Sequence, residues 1–95
     1  MAKAASILQA PSFKKAVKKL NAKQKQDLDK AVKELMADTE LGEQKKGDLS
    51  YLRVYKFKMN KQLALLGYSF DGASLVLELM ALGSHENFYR DIKRR

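Results

Sequence analysis

Apolar residues recur along this chain with two different periods. Phe13, Ala16, Val17 and Leu20 fall at i, i+3, i+4 and i+7, one stripe of an α-helix. Pro11 and Ser12 open it, because the proline ring presets φ and a serine can cap. Asn21-Ala22 interrupts the stripe. Leu28, Ala31, Val32, Leu35 and Met36 then mark a second helix, with Asp29 and Lys33 in the favourable i,i+4 order on its other side. It ends over residues 38–42, and the two segments together predict a helical hairpin.

After Gly47 the period becomes two. Over residues 51–59, Tyr51, Arg53, Tyr55, Phe57 and Met59 face one way, and Leu52, Val54, Lys56 and Lys58 the other. Asn60-Lys61 predicts a hairpin turn into a strand over residues 62–70. Asp71-Gly72 predicts a second hairpin, with a type I′ turn whose central residues both need φ > 0. Residues 73–82 are apolar on both faces except Glu78, the pattern of a buried central strand. Gly83 ends it, and Ser84 caps a last helix from His85 to about Lys93. Residues 5–9 add a short strand at the start. The expectation is one α+β domain spanning residues 1–95, with an N-terminal strand and a helical hairpin on one face of a mainly antiparallel sheet of three to four strands, and a short C-terminal helix.

Composition narrows the chemistry. The 95 residues suit one core. The absence of Cys removes a disulfide framework and thiolate zinc ligation, and one His cannot build a His-rich metal site. The longest apolar run, residues 75–82, is broken by Glu78 and falls far short of the about 20 residues a membrane helix needs. No signal-peptide core is present. A cytoplasmic protein, with no membrane partner, no metal and no cofactor, is expected.

The net charge of +8 points to a polyanionic partner, most simply nucleic acid. It is blocked along the chain. Residues 1–26 hold seven lysines and no acid, and residues 51–70 hold Arg53, Lys56, Lys58 and Lys61 and no acid. Lys14, Lys15, Lys18 and Lys19 taken alone read first as a solvated helix face. Bases on a strand are less expected. Lys56 and Lys58 share one strand face about 6.6 Å apart, comparable with the spacing of phosphates along a nucleic-acid strand. The bland alternative is an edge strand kept soluble by lysines.

Near the C-terminus, His85 follows the buried strand, Tyr89 lies four residues on, and Arg90 and Arg94 are spaced i,i+4. A His, a Tyr and cations gathered near two lysines suit metal-free phosphodiester chemistry, with one group taking the 2′-hydroxyl proton and another protonating the leaving 5′-oxygen. The bland alternative makes Phe88 and Tyr89 aromatics that pin a terminal helix to the sheet. No glycine-rich phosphate loop is present.

The tail Leu82-Gly83-Ser84-His85-Glu86-Asn87-Phe88-Tyr89-Arg90-Asp91, the stretch 49–57 and the segment Phe13-Lys14-Lys15-Ala16-Val17-Lys18-Lys19-Leu20 resemble toxins of bacterial type II toxin–antitoxin systems. The superfamily is RelE/ParE, and the likeness covers nearly the whole chain. The Gly-Ser-His-x-x-x-aromatic ending looks most like the RelE and YafQ branches. The resemblance implies a metal-independent endoribonuclease that cuts mRNA in the ribosomal A site and is silenced by a cognate acidic antitoxin. It implies catalytic roles for His85, Tyr89, Lys56 and Lys58. Arg53, Arg90 and Arg94 would contact phosphate, and Lys14, Lys15, Lys18 and Lys19 ribosomal RNA. There is one departure: where RelE carries a catalytic arginine early in the next strand, this chain has Leu65 or a neighbour within Leu63-Ala64-Leu65-Leu66. The ParE branch shares the fold and inhibits DNA gyrase without catalysis. A basic RNA-binding module with no toxicity is a third reading.

Overall fold

Pro11 and Asn21 set where the two helices begin. In the computed structural model, which describes residues 3–84 and Phe88, α1 runs Pro11–Lys18 and α2 runs Ala22–Ala37. Pro11 occupies the first turn of α1, where its missing N–H costs nothing. Ser12 does not cap that helix. The N-cap is Ala10, and the Ser12 hydroxyl donates to the Met80 carbonyl at 2.7 Å, tying α1 to the sheet. At α2 the supposed interruption is the start signal. Asn21 Oδ1 accepts from the Gln24 amide at 2.8 Å, and Gln24 Oε1 accepts from the Asn21 amide at 2.9 Å, a reciprocal capping box. The ion pair found on α2 is Lys23–Asp27 at 3.2 Å, rather than Asp29–Lys33.

The strands are β1 (Ser6–Gln9), β2 (Glu43–Gln44), β3 (Arg53–Met59), β4 (Gln62–Asp71) and β5 (Val76–Ser84). They form one sheet in the order β1-β5-β4-β3-β2. β1 lies parallel to β5, and the remaining pairs are antiparallel. The sheet thus has five strands where three to four were expected. The extra one, β2, is two exposed polar residues on an edge, too short for any period to register. β5 is flanked on both sides, as its two apolar faces require.

Both faces of the sheet are covered by apolar side chains. On the helix side, Phe13, Leu28 and Leu35 pack against Leu66, Tyr68, Leu77 and Leu79. The other side holds a smaller cluster of Leu52, Val54, Leu65, Ala81 and Phe88. Tyr68 anchors the larger cluster. Its hydroxyl donates to the Thr39 carbonyl at 2.7 Å and accepts from the Gly42 amide at 2.8 Å. Gly42 is the residue that fits there, since a Cβ would lie 2.7 Å from the Tyr68 ring.

The two hairpins differ in how they turn. Asn60 (φ 53°) and Lys61 (φ 70°) are both left-handed, the type I′ geometry that joins β3 to β4 in two residues. The expected I′ turn at Asp71-Gly72 does not form. The Asp71 carboxylate instead accepts from the Ala73 amide and the Ser74 hydroxyl, each at 2.9 Å, and draws a longer loop around itself. The left-handed residue of that loop is Leu75 (φ 59°). A left-handed leucine is strained by roughly 1–2 kcal/mol. Leu75→Gly is therefore expected to stabilise the fold by about 0.5–1 kcal/mol, after the greater chain entropy of glycine is set against the relief. A urea titration that finds Leu75→Gly less stable than the parent would refute the strain. The last predicted helix, from His85 to about Lys93, lies outside the described residues apart from Phe88.

Candidate nucleic-acid interface

The alternation in β3 decides which side chains reach solvent. Tyr55, Phe57 and Met59 pack on the helix side. The Tyr55 and Phe57 rings stack with centroids 6.1 Å apart and planes inclined by 14°. Tyr55 also approaches Glu34, its hydroxyl 3.5 Å from Oε1. Burial, then the nearby Glu34 charge, pushes its phenol above the ordinary value. Lys56 and Lys58 therefore emerge on the opposite face, in line with Leu52 and Val54. Both are exposed, and among the described residues neither lies in an ion pair. Across the sheet Lys56 pairs with Leu65, and Leu65 with Gly83; Lys58 pairs with Leu63. At about 4.8 Å per strand, Lys56 and Gly83 stand roughly 10 Å apart.

The outer end of β3 is fastened to α2. Asp27 accepts from the Asn60 amide at 2.7 Å and from Lys23 Nζ at 3.2 Å. The backbone bond, then Lys23, holds its carboxyl below the ordinary 3.8. A depressed carboxylate contributes stability that is present above its ordinary pKa and fades as pH falls through the lower folded value. The Asn60 amide is thus expected to stay protected from hydrogen exchange down to pH values below 3.8, and to lose that protection only on further acidification. Protection already lost well above pH 3.8 would contradict the tie.

Phe88 occupies the same face as Lys56 and Lys58, and two glycines admit it. A Cβ on Gly67 would lie 2.7 Å from Phe88 Cζ and 3.1 Å from Leu52 Cδ1, and a Cβ on Gly83 would lie 3.6 Å from the Phe88 amide nitrogen. The ring is 2% exposed. It pins this part of the C-terminal segment to the sheet, which was the structural alternative for this aromatic. Gly67→Ala is expected to cost about 1–3 kcal/mol by overpacking, and trimming the ring with Phe88→Leu should recover part of it. Strictly additive losses in the double variant would mean the two positions do not meet.

The remaining candidates are dispersed. Arg53 points away from the Lys56–Lys58 face and donates to the carbonyls of Gly42 (2.8 Å) and Glu40 (3.4 Å) and to Gln44 Oε1 (3.4 Å). Its guanidinium thereby fastens β2 and the loop before it. Lys14, Lys15, Lys18 and Lys19 are exposed on or just after α1, whose buried Phe13 belongs to the helix-side core. They do not share the face of Lys56 and Lys58. Leu65, where an arginine was sought, is fully buried. His85, Tyr89, Arg90 and Arg94 lie outside the described residues. Among the described residues no helix is long and apolar enough to cross a membrane. Sequence reasoning missed the glycine seat of Phe88. Its only signal was Gly67 inside one predicted strand, with Gly83 read as the residue that ends the next.

A family model described as ParE-like toxin of type II bacterial toxin-antitoxin system matches residues 7–93. No curated protein matches. Among solved structures, the fold is similar to that of the E. coli toxin RelE, determined as an arginine-to-alanine double mutant in the free state. The TM-score is 0.68 at 20% identity, over 92% of this chain and 87% of that one.

Proposed function

We propose that this chain, which belongs to the ParE-like toxin family of type II bacterial toxin–antitoxin systems, is the ribonuclease of its pair: a metal-independent endoribonuclease that cuts mRNA on the ribosome. Family membership brings with it an antitoxin partner, and the excess of base here favours an acidic one.

The observation that carries the reading is the pair of exposed lysines, in no ion pair among the described residues, on the sheet face that also holds Phe88. In this mechanism the RNA backbone lies along β3. The 2′-hydroxyl attacks the adjacent phosphorus, the new P–O2′ bond forms, and the P–O5′ bond breaks. His85 and Tyr89, which flank the Phe88 anchor in sequence, take the 2′ proton and deliver one to the leaving 5′-oxygen. Lys56 and Lys58 stabilise the charge that accumulates on the pentavalent phosphorus. Lys14, Lys15, Lys18 and Lys19 hold ribosomal RNA, with Arg90 and Arg94 as further phosphate contacts. The ribosome supplies the substrate geometry, so little intrinsic sequence selectivity is needed.

One observation favours the gyrase reading. Where the resemblance to RelE calls for an arginine, at Leu65 or a neighbour within Leu63-Ala64-Leu65-Leu66, this chain has only apolar residues, Leu65 fully buried, which takes one electrophile from the nuclease. The two are separated by expressing the chain and mapping 5′ ends of ribosome-bound mRNA. The nuclease reading predicts new ends clustered at the A-site codon, lost in His85→Ala and Tyr89→Phe. Growth arrest with intact mRNA and blocked DNA supercoiling by gyrase would replace it with the second reading.

A further inference from the structure

β3 runs on past the strand that covers its outer side. The two residues of β2 pair only with Arg53 and Val54, so among the described residues positions 55–59 of β3 have no neighbour on that side. The bare edge is about 16 Å long at roughly 3.3 Å per residue. Strand parity fixes which backbone groups it offers. The two-residue turn at Asn60-Lys61 closes on a hydrogen-bonded pair, Met59 with Gln62, so the odd positions of β3 turn their N–H and C=O toward β4. The even positions turn outward: the Leu52 carbonyl accepts from the Lys45 amide, and Val54 lies opposite Glu43. Lys56 and Lys58 continue that outward row, and among the described residues nothing bonds their N–H or C=O groups there.

We propose that this edge takes an extended acidic segment of the antitoxin as a sixth strand in line with β2, its carboxylates opposite Lys56 and Lys58. Strand addition draws affinity from main-chain hydrogen bonds and selectivity from alternate side chains. In an antiparallel register the residues opposite Lys56 and Lys58 share the lysine face, and the one between them, opposite Phe57, turns toward α2. There it meets a hollow of about 240 Å³ between α2 and β3, with Ala31 and Phe57 in its lining. The carboxylates at that hollow are already engaged, Asp27 with Asn60 and Lys23, and Glu34 with Tyr55, so the place suits an uncharged side chain. The fitting sequence is therefore acid, apolar, acid. β2 already sets one acid toward this face: the bond from Lys45 first, and also the charge of Lys56, hold the Glu43 carboxyl below its ordinary pKa. A second copy of this chain is the poorer occupant, because pairing this edge with itself sets lysine against lysine. An acidic segment instead complements the +8 of the chain. The consequence rests on the RNA-cleaving reading: the added strand takes the place of RNA on the two lysines.

The test needs no ribosome. Isotope-labelled full-length chain is titrated with a capped synthetic peptide, Val-Glu-Val-Glu-Val, while amide exchange and nuclear Overhauser contacts are followed. The expected result is slower exchange of the Lys56 and Lys58 amides, with a contact between Hα of Phe57 and Hα of the central valine, the close approach of a pair that does not exchange hydrogen bonds. N-methylating both glutamates removes their N–H donors and keeps their charge, and should weaken binding by about tenfold. A peptide with lysine in place of both glutamates should give no protection at this edge. Equal binding by the N-methylated peptide, protection that arises outside residues 55–59, or none at millimolar peptide would overturn the added strand. The nuclease reading fails on a different result, intact ribosome-bound mRNA, so the two failures are told apart.

Discussion

Replacing Lys56 and Lys58 together by alanine is expected to lower ribosome-dependent mRNA cleavage by about 10²–10³-fold, the loss typical when one preorganised electrostatic stabiliser is removed. The fold should not notice. Both side chains are exposed and hold no ion pair among the described residues, so a change in unfolding free energy within about 0.5 kcal/mol is expected. Rate and stability therefore separate. The arginine pair, Lys56→Arg with Lys58→Arg, keeps the charge and should retain much more cleavage than the alanine pair. Two lysines serving one phosphoryl group act as a unit, so the single variants should lose more than half of the logarithmic effect each. Primer extension on programmed ribosomes, together with a urea titration, checks both halves. Full cleavage in the double alanine variant would remove these lysines from the chemistry and return them to the role of an edge strand's solubility guard.

The largest effect on stability is expected at Tyr68. Its side chain is fully buried, and its hydroxyl serves both the Thr39 carbonyl and the Gly42 amide. Burial raises its phenol above the ordinary pKa, while the bond from Gly42 and the charge of Arg53 act in the opposite direction. Tyr68→Phe keeps the ring and strips both groups of their phenol partner. A buried polar group left without its partner costs about 1–3 kcal/mol, so the pair predicts a loss of about 2–4 kcal/mol. For a chain of this size that lowers Tm by roughly 10–20 °C. The loop after α2 and strand β2, which Arg53 also fastens, should loosen first. A calorimetric Tm within a few degrees of the parent would show that water replaces the phenol, contrary to its burial.

The residues that spoke plainly in the sequence were those whose local physics agrees with the global fold. Asn60-Lys61 turns left-handed because an asparagine tolerates it and the twist of β3 and β4 demands it. The alternation through Tyr55, Lys56, Phe57 and Lys58 assigned each to its face, and the faces are as expected. Residues apolar on both faces put β5 in the sheet interior. Where two local signals competed, the reading went astray. Asp71-Gly72 has the composition of a tight turn, but the Asp71 carboxylate found donors in Ala73 and Ser74 and lengthened the loop. Ser12 looked like a cap, yet its hydroxyl found a carbonyl on β5 that no local pattern reveals. The hold of Arg53 on the loop carbonyls of Glu40 and Gly42 was likewise not legible, since only the pairing of β2 with β3 brings them together.

The candidate site divides in the same way. Lys56 and Lys58 were legible because strand parity alone puts them on one face. The seat of Phe88 was not, since it depends on two glycines brought side by side only when β4 and β5 pair.

The face carrying Lys56 and Lys58 is the centre of this account, and imaging the chain bound to a ribosome stalled on mRNA, by electron cryomicroscopy, tests it most directly. The account predicts both ammonium groups against consecutive mRNA phosphates, with α1 and its lysines turned toward ribosomal RNA. A complex in which β3 faces solvent and the mRNA runs along α1, or in which no density for the chain is found on the ribosome, would contradict it.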